Sequence, residues 1–279
     1  MRPLVFYHAN CWDGFCAAWV ARKALGEIEA IPIQYGYKAK PAVDGRDVYV
    51  LDFSVSRVEI LDAKRDARSL LVLDHHQTAE EALRGLDFCR FDMNKSGGRL
   101  AWEYFGFIGG WDGMAAPWLV DYTEDRDLWR HAMPDSEAVN AALRSHPLEF
   151  DLWDKFAECK PSDFAMDGYA IRRREQQIID THVRSAAEVI FDDHRIRVVN
   201  ATVLFSEIAG ELAKGRPFGA CYFDRADGKR QWSLRSRDEG VDVAAIAKAH
   251  GGGGHRNAAG FEESSVNLLR LARVEQMAT

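Results

Sequence analysis

Cysteine is scarce in this chain and follows no pattern. Five stand among the 279 residues, at Cys11, Cys16, Cys89, Cys159 and Cys221, and no two form a C-x-x-C pair. An odd, scattered set argues against a disulfide framework or a structural zinc site and fits a reducing cytosol. Long apolar runs are lacking as well. None approaches the ~20 residues that span a bilayer, and the opening MRPLVFYHANCWDGF has none of the anatomy of a secretory signal. These absences predict a soluble, cytoplasmic protein with no membrane partner. Basic excess is also missing, the formal net charge being -7. A protein that coats long duplex nucleic acid normally presents a basic surface, so that class is disfavoured. A small anionic substrate held by a few local groups is not. Repeats and low-complexity segments are absent.

What is present is core-forming material. Hydrophobic residues make up 47% of the chain and charged residues 28%, enough for a large core and for two domains. In the first half, strand-like and helix-like stretches alternate. Leu4-Val5-Phe6-Tyr7 reads as a strand ending at His8. A helix follows from Gly14 to Leu25, with Phe15, Ala18, Trp19 and Arg22 at helical spacing. Ile31-Pro32-Ile33 fits an edge strand, because proline cannot donate to an interior ladder. Val48 to Leu51 reads as a further strand ending at Asp52, with Ser54 as N-cap of a helix that runs to Asp66. The run Leu70-Leu71-Val72-Leu73 is a short buried strand ending in Asp74-His75-His76, and Thr78 with Glu81 fits a capping box for the next helix. This rhythm predicts a mostly parallel sheet flanked by helices. From Ala115 the pattern turns helical, and Asp163 to Ile190 reads as one connecting helix. After Asp193 come a strand at Ile196–Val199 and a helix at Ser206–Lys214. Two strands, Phe218–Phe223 and Gln231–Ser236, join at Ala226-Asp227-Gly228, and a helix runs from Val241 to His250. The expected architecture is α/β: an N-terminal domain over residues 1–133, a helical connector over 134–193 and a smaller C-terminal α/β domain over 194–279.

The chemistry lies at the predicted strand ends. Four clusters fall there or in the loop before a helix: His8 with Asp13, Asp52, Asp74-His75-His76, and Asp125 with Asp127. In an open α/β sheet, ligands bind outside the carboxyl ends of the strands, so a parallel sheet gathers these groups along one crevice. Mixed carboxylate and imidazole ligation suits hard divalent ions such as Mn²⁺. Two ions about 3.5–4 Å apart can share one carboxylate and activate water, so no Ser or Cys nucleophile is needed. Each residue alone has a plainer role. His8 can be a strand-end hydrogen-bonder, Asp52 a turn residue, and Asp125 an ion-pair partner of Arg126 or Arg130. Their joint position favours the metal reading.

Gly251-Gly252-Gly253-Gly254-His255 is the second strong feature. Four glycines cost backbone entropy and would suit a flexible linker. Here the run follows a helix-like segment and leads into His255-Arg256-Asn257, which a linker does not usually do. Glycines let backbone N–H groups approach an anion closely, and His255 and Arg256 can add side-chain contacts.

Together these residues resemble the DHH phosphoesterase superfamily, in the nano-RNase-like branch that carries a DHH-associated C-terminal domain. The resemblance runs through nearly the whole chain. It rests on His8 to Gly14, Leu51-Asp52, Asp74-His75-His76, the Ser-Gly segment Asn94 to Gly98, Asp125-Arg126-Asp127, Ser233 to Ser236 with Val241 to Val243, and the glycine run. The triplet combined with a C-terminal GGGH is far more specific than the triplet alone. The resemblance implies two Mn²⁺ ions, with Mg²⁺ or Co²⁺ as substitutes, in a cleft between two domains, and hydrolysis of phosphoester or phosphoanhydride bonds. It implies that Asp52 bridges both ions, that His8 serves one, and that Asp13, His75 and Asp125 serve the other. Asp127 is an alternative to Asp125 that the sequence does not separate. His76 is implied to contact the substrate phosphate and Asp74 to orient a neighbouring ligand from behind. Gly253, Gly254, His255 and Arg256 are implied to hold the far end of the substrate, with Arg235 as a further phosphate or base contact. One position departs from the pattern: Cys11 stands where many relatives carry aspartate. Either the ion served by His8 binds more weakly, uses water or takes the thiol, or Cys11 is simply a small buried residue.

The expected substrate is a short oligonucleotide, a dinucleotide foremost, cleaved to mononucleotides. The acidic balance offers no long electrostatic track for a polymer. Trp12, Phe53 and Trp129 are candidates to stack on a base, although aromatics more often serve a core. The alternatives are a small-molecule phosphatase acting on pAp or pyrophosphate, and a nucleotide-binding protein with little turnover. The oligomeric state, a homodimer included, is left open.

Overall fold

The computed structural model describes residues 1–34 and 42–264. The chain divides into two units, Met1–Arg172 and Arg173–Thr279. The first begins with β1 (Leu4–His8), α1 (Trp12–Leu25), β2 (Glu29–Ile33), β3 (Asp47–Leu51), α2 (Arg57–Asp66), β4 (Ser69–Asp74), α3 (Gln77–Leu83) and β5 (Cys89–Phe91). Helices α4 (Gly97–Gly109), α5 (Trp118–Asp127), α6 (Ser136–Arg144), α7 (Phe150–Ala157) and α8 (Pro161–Ser185) follow, and the unit boundary falls inside α8.

The five strands form a parallel sheet in the order β2-β1-β3-β4-β5. β2 sits at the edge, where Pro32 costs no ladder bond. Alternate side chains point to opposite faces of a strand, and both faces here are covered. Val5, Leu51, Leu71 and Leu73 pack with Phe15 and Trp19 of α1 and Phe105 of α4. Leu4, Phe6, Val48, Val50, Leu70 and Val72 pack on the other side with Ile60 of α2 and Leu83. Burial on both faces is why β4 reads as an unbroken apolar run. Helices α6 and α7 add Val139, Leu143, Trp153 and Phe156 to the first of these cores. Much of the segment read as a connector is therefore packed into the first unit.

The second unit contains β6 (Ala187–Phe191), β7 (His194–Asn200), α9 (Phe205–Leu212), β8 (Gly219–Asp224), β9 (Lys229–Arg235), α10 (Val243–Ala249), β10 (Gly253–His255) and β11 (Ala258–Ser264). Its sheet runs β10-β11-β9-β8-β7-β6. β7 and β8 are parallel and the other neighbours antiparallel. Helix α10 covers one face through Val243, Ala244 and Ala247, and α9 covers the other through Ile208, Ala209 and Leu212. Residues 265–279 of the expected C-terminal domain lie outside the described residues.

Three local expectations are corrected. The N-cap of α2 is Ser56, which forms a reciprocal capping box with Glu59; Ser54 is drawn away by Asp74. Helix α3 starts directly after His76, ahead of the expected Thr78–Glu81 box. The long helix stops at Ser185, and Ala187–Phe191 is a strand. Its Val189 and Ile190 fit a pleated surface better than a helix. Asp192 and Asp193, with φ of 44° and 64°, make a two-residue turn that pairs Phe191 with His194. In the glycine run, Gly253, Gly254 and His255 form β10 and pair with Gly260, Ala259 and Ala258.

Gly168 marks how closely α8 approaches α6. A methyl group there would lie 1.9 Å from the carbonyl oxygen of Ala138. Overpacking of this kind typically costs about 1–3 kcal/mol. Gly168→Ala is expected to lower the urea midpoint of the protein by a corresponding amount, and an unchanged midpoint would show that the two helices part freely.

Candidate metal centre

Strand register builds the site. Tyr7, Leu51 and Leu73 align across β1, β3 and β4, so His8, Asp52 and Asp74 leave the sheet at one level. The Asp52 N–H still bonds Leu73 O at 2.9 Å. Its own φ is then 54°, a left-handed conformation costing roughly 1–2 kcal/mol for most L-residues and tolerated best by glycine, asparagine and aspartate. The turn brings a nearly fully buried carboxylate over the strand ends.

Asp52 has a different neighbour on each oxygen. Oδ1 lies 3.0 Å from His75 Nε2, and Oδ2 lies 3.6 Å from His8 Nδ1. The Cys11 thiol also donates to Oδ2, at 3.4 Å. His75 Nε2 is in addition 3.6 Å from Asp13 Oδ2 and 3.5 Å from Asp127 Oδ2. Two sets of donor atoms result, Asp13 with Asp52 and His75, and His8 with Asp52 and His76. Within each set all atoms fall within 4.8 Å of one another, and Asp52 belongs to both.

Asp13 is held from above by the start of α4. Gly97 and Gly98 donate their backbone N–H groups to its two oxygens at 2.6 and 2.9 Å, and the positive end of the helix dipole adds to the attraction. The close approach needs glycine. A Cβ on Gly97 would lie 2.5 Å from Asp52 Cβ, and one on Gly98 would lie 2.8 Å from Cys16 Sγ. Helix α5 clamps the same helix start. Glu124 accepts from Ser96 N–H at 3.4 Å and from Arg99 Nε at 3.0 Å, and Arg99 reaches Asp121 as well.

Asp74 stands behind the cluster and is fully buried. Its Oδ2 accepts from the Ser54 hydroxyl at 2.5 Å. Its Oδ1 accepts from the backbone N–H groups of His75 and His76 at 2.7 and 3.2 Å and lies 2.6 Å from His76 Nδ1. Both oxygens are thus occupied within the fold, and the His76 ring is held in place.

The charge balance is lopsided. Burial, and then the charges of Asp52 and Asp127, push the Asp13 carboxyl well above its usual range. Burial and the Asp52 charge likewise raise Asp127 against the pull of His75. Burial opposes ionisation of Asp52 too, yet hydrogen bonds from His75 and His8 hold it well below the ordinary value. Burial disfavours both imidazolium ions, but Asp52, Asp127 and Asp13 raise His75 to about 10, and Asp74 raises His76 to about 9. Three carboxylates thus compete for the positive charge of one imidazole. A hard divalent cation fits that donor set of carboxylate oxygens and imidazole nitrogens.

Asp125 is placed elsewhere, and Asp127 takes the position at His75. The Asp125 carboxylate accepts from Ala132 N–H at 2.8 Å and from the Ser136 hydroxyl. Residues two apart on a helix point about 200° apart, so α5 can present only one of the pair to the cluster. The candidates in the second unit sit together on its sheet. His255 and Arg235 flank Ala258 across β10, β11 and β9. Arg235 bonds Ser206 Oγ at 2.6 Å, and Arg256 bonds Asn257 Oδ1 and Gly240 O at 2.8 and 3.0 Å. Gly254 has a φ of 142°, and a Cβ there would lie 2.5 Å from Ala258 O. Gly97 and Gly98 as donors, Ser54, and the Glu124–Arg99 clamp are parts of the site that the spacing alone did not reveal. The Ser-Gly segment was the one visible sign of them.

No family model matches the chain. It is 27% identical over 290 residues to the uncharacterized protein R106 of Acanthamoeba polyphaga mimivirus, a match covering 94% of this chain and 68% of that one. It is 30% identical over 90 residues to the oligoribonuclease NrnB of Bacillus subtilis, covering 32% of this chain and 21% of the relative. Among solved structures it resembles the DHH domain of a protein described as belonging to a family of ribosomal proteins, with a TM-score of 0.58, 12% identity and coverage of 95% and 83%. RecJ of Thermus thermophilus in complex with Mn²⁺ follows, with a TM-score of 0.53, 13% identity and coverage of 93% and 49%. The pGpG-specific phosphodiesterase PggH of Vibrio cholerae gives a TM-score of 0.50, 11% identity and coverage of 95% and 94%. No described helix is long and apolar enough to cross a membrane. With Asp74-His75-His76 at the carboxyl end of an interior parallel strand, the chain shares the fold of that DHH domain and itself carries an Asp-His-His triplet.

Proposed function

We propose that the chain is a divalent-metal-dependent phosphodiesterase, with Mn²⁺ as its ion, that hydrolyses short oligonucleotides, dinucleotides foremost, to mononucleotides. The observation that carries this reading is Asp52, whose two oxygens face His75 on one side and His8 on the other. A carboxylate shared between two donor sets is what a two-metal phosphoryl-transfer site requires. The names of similar proteins lend support: an oligoribonuclease, a pGpG-specific phosphodiesterase and a RecJ that holds Mn²⁺.

Asp13, Asp52, His75 and Asp127 would hold one ion, and His8 with Asp52 the other. Bound there, divalent ions supply Lewis acidity toward a phosphoryl oxygen and lower the pKa of water. The chain's own groups do the rest. Asp74 fixes the His76 ring through Nδ1 at 2.6 Å, which assigns Nε2 to the substrate phosphate as a hydrogen-bond donor. Gly97 and Gly98 keep the Asp13 oxygens in place, and Cys11, through its bond to Asp52 Oδ2, steadies the shared carboxylate. In the second unit, Gly253, Gly254, His255, Arg256 and Arg235 are assigned to the nucleotide. Both arginines are already anchored to neighbours there, so less side-chain freedom is lost on binding.

Asp52→Asn removes the shared charge. Loss of several kcal/mol of transition-state stabilisation corresponds to a rate lower by about 10³-fold or more. Mn²⁺ binding followed by calorimetry should fall from two ions to one or none. Retained turnover in this variant would sink the two-metal reading. Asp127→Ala is expected to weaken Mn²⁺ binding by about 10- to 100-fold, whereas Asp125→Asn should lower thermal stability and spare Mn²⁺ affinity. The reverse pattern would return Asp125 to the metal. For the substrate, a 2-mer, a 7-mer, a cyclic dinucleotide, pAp and pyrophosphate are compared with Mn²⁺ present, and the 2-mer should be fastest. A faster 7-mer removes the length claim, turnover of pAp or pyrophosphate alone makes the protein a small-molecule phosphatase, and no turnover makes it a binding protein.

A further inference from the structure

The turn after α5, residues 128–132, holds two bulky residues in the left-handed region. Trp129 has a φ of 56° and His131 a φ of 50°. Such backbone is rare for large side chains, persists only where neighbours over-determine it, and concentrates at functional sites. Asp125 over-determines it. Its carbonyl accepts from the N–H groups of Arg130 and His131 at 2.8 and 3.3 Å. Its carboxylate accepts from Ala132 N–H at 2.8 Å and from the Ser136 hydroxyl. The Trp129 N–H closes the turn on Arg126 O at 3.1 Å.

This arrangement presents an aromatic ring. Trp129 is 45% exposed, while Phe53 is 3% exposed and Trp12 packs against the core. Of the three aromatics that the sequence offers as candidates to stack on a base, Trp129 is thus the exposed one. The Arg126 guanidinium lies 4.2 Å from the Trp129 ring centroid, and the His131 ring stands at 75° to it with centroids 5.0 Å apart. Trp129 follows Asp127 by two residues, so their Cα atoms are at most about 7 Å apart, and the Asp127 carboxylate lies at His75. A single exposed aromatic is ordinary on a protein surface. One held out by strained backbone, backed by a guanidinium and tethered beside a metal centre is not.

We propose that Trp129, backed by Arg126, is the stacking platform for a base of the nucleotide whose phosphate is cleaved. This rests on the phosphodiesterase reading and adds how the substrate is recognised. Every base has a π-face, so a stack recognises a nucleotide while tolerating any base.

The test compares wild-type protein with Trp129→Ala, Trp129→Leu and Trp129→Phe, loaded with Mn²⁺, on a dinucleotide and on its abasic counterpart. Loss of one stack is expected to raise KM for the dinucleotide about 10- to 100-fold in the Ala and Leu variants, with kcat within a few-fold. The Phe variant should stay near wild type, and KM for the abasic compound and Mn²⁺ affinity should not move. An unchanged KM in Trp129→Ala, with the dinucleotide still cleaved, overturns the stack and leaves the phosphodiesterase reading standing. An equal rise for the abasic compound overturns it too, since the ring would then be acting through the fold. If wild-type protein cleaves neither compound, the phosphodiesterase reading fails on its own. Calorimetric binding of the dinucleotide to wild type and Trp129→Ala then decides, equal affinities ruling the stack out.

Discussion

Buried negative charge at the ends of β1, β3 and β4 is the constraint on which the rest of the first unit depends. Asp13 and Asp52 are almost wholly buried, and Asp127 joins them around His75. Removing a carboxylate from water is costly unless it is paired and hydrogen-bonded. Much of the local architecture supplies that compensation. Two backbone N–H groups at the α4 start serve Asp13, two imidazoles serve Asp52, and a separate shell of donors serves Asp74. A divalent cation completes the balance in the proposed active state.

Packing density makes the arrangement possible. Helix α4 can place its first N–H groups on Asp13 only because Gly97 and Gly98 carry no side chain. Gly14 meets the same condition against His8, where a Cβ would fall 2.7 Å from the backbone oxygen. The small side chains of Cys16, Ala17 and Ala18 on α1, all buried, let α1 and α4 lie close over the sheet. The interior of the fold and the geometry of the site are therefore one packing problem, and its solution fixes carboxylate positions to within the reach of a hydrogen bond.

Much of this was legible in the sequence. Apolar runs that stop at a charged residue located His8, Asp52 and Asp74, because a strand buried on both faces must be apolar until it leaves the sheet. The parallel character of the sheet followed from the alternation with helices, and the edge position of β2 from Pro32. Three kinds of information were not legible. Asp125 and Asp127 look alike in one dimension, and only the rotation of α5 separates them. Ser54 meets the simple serine cap pattern, whereas Ser56 alone has the Glu59 that completes a capping box; what no local pattern shows is the long-range pull of the buried Asp74 carboxylate on Ser54. The strand Ala187–Phe191 follows a helical composition with only Val189 and Ile190 as a weak local signal, and pairing with β7 completes its identity. Local patterns located the chemistry. Competition between partners distant in the chain decided which of two similar residues performs it.

Helix α5 gathers unusual responsibility into ten residues. Glu124 grips the start of α4, Asp125 ties down the following turn, and Asp127 joins the charged cluster. These three side chains leave one short cylinder in three directions. The helix therefore behaves like a key with its teeth cut around the shaft. Inserting or deleting one residue would turn it by about 100° and misalign every tooth at once, so α5 should tolerate substitution at some positions but no change of length. Its register is a shared coordinate for the buried charged cluster, the α4 dipole and the exposed tryptophan.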